Sequence, residues 1–168
     1  HSSQSTDENI TETVIKLEDP QYPVKVELHY KSYYKEDVIE QWTEIKHNEK
    51  ESVVLYNFAS SMLHFDAEKY WLTQYHSDCV KEAMMEESEL TRGAKVIDSK
   101  LGVRTNMFHT PAFYLSLNEK PTENTGELIS GTLAWSGNFR FAFEVDHKNA
   151  LRVCAGINPF ASEYTLAP

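Results

Sequence analysis

Apolar and polar positions alternate along most of this chain, with no sustained helical stripe. Val24, Val26, Leu28 and Tyr30 fall on one side of a period of two, and Lys25, Glu27, His29 and Lys31 on the other. The run from Phe139 to Asp146 is cleaner still. Phe139, Phe141, Phe143 and Val145 share one face, and Arg140, Ala142, Glu144 and Asp146 the other. Such alternation marks half-buried antiparallel strands, so the Val24/Val26/Leu28 and Phe139/Phe141/Phe143 faces are expected to be buried. Residues 38–47 are apolar or aromatic on both faces, with Trp42 on one and Ile39 and Ile45 on the other, which predicts a strand covered on both sides. Further strands are predicted over 52–65, 70–76, 94–98, 112–118, 127–135 and 151–156. Breakers separate them: Arg92-Gly93, Pro111, residues 120–126, Ser136-Gly137-Asn138, His147-Lys148-Asn149 and Asn158-Pro159. Ser136-Gly137-Asn138 reads as a tight turn joining the strands on either side of it. About ten strands at this spacing predict an all-β fold, an antiparallel β-sandwich largely without helices.

Composition narrows the partners. The chain has 168 residues, 40% of them hydrophobic, enough for one domain with a real core. Its net charge of −10 argues against nucleic acid, which needs a basic patch, and against an anionic membrane surface. No run approaches the ~18–20 apolar residues of a membrane span, and no secretory signal is read. The polar opening, residues 1–9, is expected to be a disordered or cloning-derived leader, with residues 10–168 as a single β-sandwich domain. Cys79 and Cys154 do not make a disulfide framework; both are expected to be free and buried, and whether they pair stays open.

Several segments also carry a resemblance. Leu17-Glu18-Asp19-Pro20-Gln21-Tyr22-Pro23 is followed by the strand Val24–Tyr30, then by Asp37–Ile45. Ser99, Gly102, His109 and Pro111 form a Ser-x-x-Gly segment leading into His-x-Pro. Trp135-Ser136-Gly137-Asn138-Phe139, Glu144-Val145-Asp146 and Gly156-Ile157-Asn158-Pro159-Phe160 close the series. In this order they resemble the N-terminal β-domain of family 36 glycoside hydrolases, the bacterial α-galactosidases. The likeness weakens between Tyr70 and Arg92, where Ser77-Asp78-Cys79-Val80-Lys81-Glu82 stands in place of the family's Gly-x-Trp. Residues 80–90 are rich in helix formers and alone would read as a short helix. The resemblance makes them an extended strand pair, and that reading is taken.

The resemblance implies a galactose-mutarotase-like β-supersandwich, here incomplete, ahead of a (β/α)8 catalytic barrel in the same polypeptide. It implies a parent enzyme that is a retaining α-galactosidase, removing terminal α-galactosyl residues from oligosaccharides without a cofactor. It further implies a bacterial cytoplasmic or periplasmic setting and a parent that is often homo-oligomeric. A stand-alone carbohydrate-binding or adhesion module is the alternative.

Retaining glycosidases use two carboxylates about 5 Å apart. The family's nucleophile and acid/base segments belong to the barrel and are not found here, so no catalytic residue is assigned and the chain alone is expected to be inactive. Glu144 and Asp146, two residues apart on one strand face, read as a solvated face. Trp42 and Trp135 read as core, and Trp71 as either core or a sugar platform. The long polar loop from Ser99 to Pro111 supplies Arg104, Asn106 and His109, which with Trp71 are the candidates for contact with substrate or with a neighbouring domain. No metal site is expected: the nearest pair is His64 with Asp66, and there is neither a His-x-x-x-His nor a Cys-x-x-Cys.

Overall fold

The computed structural model describes residues 2–5, 8–105 and 107–168. Among them there are strands and turns but no α-helix. The chain divides into two compact units, residues 1–56 with 163–168, and residues 57–162.

In the first unit, β1 (Ser2–Ser5), β2 (Ile10–Glu18), β3 (Val24–Tyr33) and β4 (Val38–His47) form an antiparallel sheet in that order. The polar opening thus contributes a strand, with Ser2 opposite Val14 and Ser5 opposite Thr11. β5 (Val53–Leu55) is joined by a strand from the far end of the chain, β14 (Tyr164–Leu166), with Tyr164 opposite Leu55. The Asp19–Pro23 motif is the β2–β3 turn: the Asp19 carboxylate accepts the amides of Gln21 (2.8 Å) and Tyr22 (2.9 Å), which hold its pKa below the usual value.

The second unit is a sandwich of two four-stranded antiparallel sheets. One has the order β11 (Leu128–Thr132), β10 (His109–Leu117), β7 (Tyr70–Asp78), β8 (Lys81–Glu89). The other has β6 (Ser61–Asp66), β13 (Ala150–Ile157), β12 (Phe139–Val145), β9 (Gly93–Asp98). Tyr70, Leu72, Phe113 and Leu115 from the first meet Ile97, Phe139, Phe141, Phe143, Val145, Leu151 and Val153 from the second. Phe113 sits edge-on to Phe141 and Phe143, with ring centroids 5.2 and 4.9 Å away. Residues 81–89 are a strand despite their helix-forming composition, because pairing with β7 overrides local propensity.

Several expectations are corrected. The Phe139/Phe141/Phe143 face is buried, but Val24, Val26 and Leu28 are only half-buried. They lie on one face of a single four-stranded sheet, and among the described residues the unit has only the β5–β14 pair besides. β4 is an edge strand, not one covered on both sides, and leaves Val38 and Ile39 exposed. Ser136-Gly137-Asn138 does not close a hairpin: β11 and β12 belong to different sheets, and the segment carries the chain between them. Trp135 is exposed beside Gly137, where a Cβ would come within 2.7 Å of its Nε1. Trp42 is half-buried on the charged face of β4, opposite His29. Cys154 is half-buried, and burial raises its thiol pKa, but Cys79 is exposed in the β7–β8 turn; both are free.

Candidate functional site

The loop between β9 and β10 is anchored to the segments that carried the sequence motifs. Asn158 is buried and its amide nitrogen donates to Asp98 Oδ2 (3.2 Å), to the Ser99 carbonyl (3.2 Å) and to the Phe139 carbonyl (3.4 Å). Its carbonyl oxygen accepts the amide of Phe160 at 3.0 Å. The Gly102 amide donates to Asn138 Oδ1 at 2.7 Å, and the buried Thr105 hydroxyl to the Gly137 carbonyl at 3.0 Å. Ser-Gly-Asn and Gly-Ile-Asn-Pro are therefore fasteners of this loop. They satisfy its inner backbone and leave its outer face available.

A cavity of about 330 Å³ opens beneath the loop, lined by Asp98, Ser99, Lys100, Leu101, Phe108 and His109. Lys100 pairs with Asp98 at 3.2 Å and lies over the Phe160 ring. His109 stands opposite His76 across the β10–β7 ladder with the rings parallel, 6.5 Å apart. His109 Nδ1 is buried and has no hydrogen-bond partner among the described residues. Burial, and then the charge of His76, push the His109 pKa down, so that its imidazole is neutral at pH 7. From His76 a polar row continues: its Nε2 is 3.8 Å from Glu86, whose other oxygen accepts from Lys95 at 2.8 Å. Lys95 holds the Glu86 pKa down. Neutral His109, Asp98 and Lys100 can donate to and accept from hydroxyls or a backbone. They form no pair of carboxylates flanking an open space.

The other candidates are placed differently. Arg104 is exposed. Asn106 lies outside the described residues. Trp71 is half-buried at the other end of β7, five residues or roughly 17 Å from His76 and on the opposite face of the strand, so it does not join the loop. Lys120 lies 5.8 Å from its ring centroid. Asp146 Oδ1 accepts the amides of Ala150 and Lys148, which lower its pKa and make it a turn residue of the β12–β13 connection. Glu144 is paired with Arg152. Sequence reasoning missed His76, Glu86 and Lys95. Glu86 lies in the segment of helix formers, and the three meet only through strand pairing and the approach of β8 to β9.

The family model for the glycosyl hydrolase family 36 N-terminal domain matches residues 2–167. This chain belongs to that family. The family 36 N-terminal domain described here is 25% identical over 163 residues to the probable alpha-galactosidase C of Aspergillus terreus, covering 97% of this chain and 22% of that protein. With alpha-galactosidase Mel36A of Lactobacillus acidophilus it shares 24% over 168 residues, 100% of this chain and 23% of that protein. The crystal structure of the alpha-galactosidase AgaA from Geobacillus stearothermophilus matches with a TM-score of 0.81 at 25% identity, over 99% of this domain and 23% of that chain. The domain thus spans less than a quarter of these relatives. They include fungal as well as bacterial proteins, so the family is wider than the bacterial setting first implied.

Proposed function

We propose that this domain is the N-terminal part of an α-galactosidase that hydrolyses terminal α-galactosyl residues from oligosaccharides, and that its β9–β10 loop docks on the catalytic part of the same polypeptide. The family match over residues 2–167 carries the first statement. The relative AgaA has been crystallised, in variant forms, with stachyose and with raffinose, which makes such α-galactosides the substrate class to test. The catalytic carboxylates belong to the barrel, and Glu144 and Asp146 are occupied by Arg152 and by turn amides.

The loop's outer surface supports the second statement. Leu101, Val103, Met107 and Phe108 are all exposed beside Lys100 and Arg104, and Val103 is 93% exposed. Apolar side chains gathered on one loop beside a small cavity are a contact surface awaiting a partner. An interface within one polypeptide is modest in size and mixes apolar with polar contacts, and this loop offers both: four apolar side chains beside Lys100 and Arg104. Arg104 and His109 would hydrogen-bond across it.

The test is hydrolysis of an aryl α-galactoside by the parent enzyme and by this domain alone. Turnover is expected only from the parent. Arg104→Ala and His109→Ala in the parent should lower both activity and melting temperature. If both variants match the wild type, the loop is only a connection between strands.

A further inference from the structure

The charged face of the β2–β3–β4 sheet holds a group that the α-galactosidase reading does not use. His29 is only 9% exposed, though it lies on the polar side of β3. Its ring stacks on Trp42, with centroids 4.6 Å apart and planes 11° from parallel, which fixes the direction of both nitrogens. Nδ1 faces Glu12 Oε1 at 3.3 Å. Nε2 is buried, has no hydrogen-bond partner among the described residues, and faces Glu44 Oε1 at 3.6 Å and Glu27 Oε2 at 3.8 Å.

We propose that His29 Nε2, Glu27 Oε2 and Glu44 Oε1 form a binding site for a divalent transition-metal ion of the zinc class. One oxygen or nitrogen from each of the three residues lies within 4.8 Å of the others. Bonds of ~2.0–2.1 Å at tetrahedral angles put ligand atoms about 3.3 Å apart, so the 3.6 and 3.8 Å separations from His29 need a few tenths of an ångström of closure, and the two carboxylate oxygens, within 4.8 Å of each other, close by side-chain rotation. One imidazole and two carboxylates are a donor set for zinc and its neighbours, with the fourth position left to water.

The surroundings fit the assignment. Glu12 on Nδ1 fixes the tautomer that turns the Nε2 lone pair toward the two carboxylates, the usual outer partner of a metal-bound histidine. Lys16 holds the other oxygen of Glu27 at 3.0 Å, and Lys46 the other oxygen of Glu44 at 2.9 Å. Both lysines therefore orient the carboxylates and leave the ligating oxygens facing His29. Lys46 also stands 3.6 Å from Glu27 Oε2; its side chain is 62% exposed and can swing outward as the ion enters.

The probe is Zn2+, titrated by calorimetry into the EDTA-stripped 168-residue chain at pH 7.5, with Co2+ absorption as the coordination readout. One equivalent should bind, Co2+ should give the visible bands of a tetrahedral site, and Zn2+ should raise the melting temperature. His29→Gln and Glu44→Gln should each weaken binding at least tenfold, and Glu12→Ala, which removes the Nδ1 partner, about tenfold through orientation alone. His64→Gln, on an exposed histidine of β6, should change nothing. Glu44 is part-exposed, so its variant carries the test if His29→Gln fails to fold. No bound equivalent, or zinc that ignores both His29→Gln and Glu44→Gln, overturns the proposal. Neither result depends on the parent's glycosidase activity.

Discussion

Asn158→Ala should loosen the β9–β10 loop and the second unit together. The side-chain amide has two hydrogens for three acceptors, Asp98 Oδ2, the Ser99 carbonyl and the Phe139 carbonyl, and its oxygen serves the Phe160 amide. Three effective hydrogen bonds are lost. At about 1 kcal/mol each, somewhat more for the one to a carboxylate, the expected cost is about 3 kcal/mol. With a urea dependence of about 2 kcal/mol/M, the unfolding midpoint should fall by about 1.5 M. Asn158→Asp should be at least as costly, because it keeps the acceptor for Phe160 but sets a carboxylate against Asp98. Trypsin gives an independent readout, since Lys100 and Arg104 lie in the loop: the variant should be nicked there at urea concentrations where wild type is intact. A midpoint change corresponding to less than about 1 kcal/mol, with unchanged nicking, would show that the loop does not depend on this side chain.

Phe113→Ala, which removes the ring bridging the two sheets, should cost about 3–5 kcal/mol in equilibrium unfolding. Gly131→Ala should cost about 1–3 kcal/mol, because its Cβ would fall 2.3 Å from that same ring; a neutral result would mean that the ring can move aside. His109 has a folded pKa below its unfolded value of about 6.5, so the unfolded chain takes up a proton that the folded one refuses. Stability should therefore be highest above that unfolded value and fall as pH drops through it. Urea midpoints at pH 7.5 and 5.5 should differ more for wild type than for His109→Gln; equal differences would remove His109 from the account.

The sandwich core was legible because Phe139, Phe141, Phe143 and Val145 obey a period of two and are all buried as it demands. The same period in β3 told which residues share a face but not which face is sealed. His29 is buried on the charged side because Trp42 covers it, and that cross-strand neighbour is set by register. Trp135 reads as core by size, yet folds over Gly137 in the open. In the loop, Arg104 and His109 were visible as polar residues in a long connection, whereas His76, Glu86 and Lys95 come from three strands and carried no local signal. Asn158 lay inside a motif whose purpose, fastening the loop, appears only once its four partners are in place.

The pairing of β5 with β14 makes the second unit an insertion in the topological sense. Leu55 and Tyr164 lie side by side in the ladder, so the chain leaves the first unit and re-enters it at neighbouring points. Closing a flexible loop of roughly a hundred residues would cost about 4 kcal/mol in chain entropy. That cost falls if the inserted sandwich folds first, because its own contacts then bring the two ends closer before β14 docks. A nascent chain would have β1 to β5 emerge early, but the β5–β14 ladder could close only after the whole insertion had been made. A short turn joining Leu55 directly to Tyr164 should restore that ladder as a simple hairpin, and the excised 57–162 segment should keep its eight-stranded sandwich.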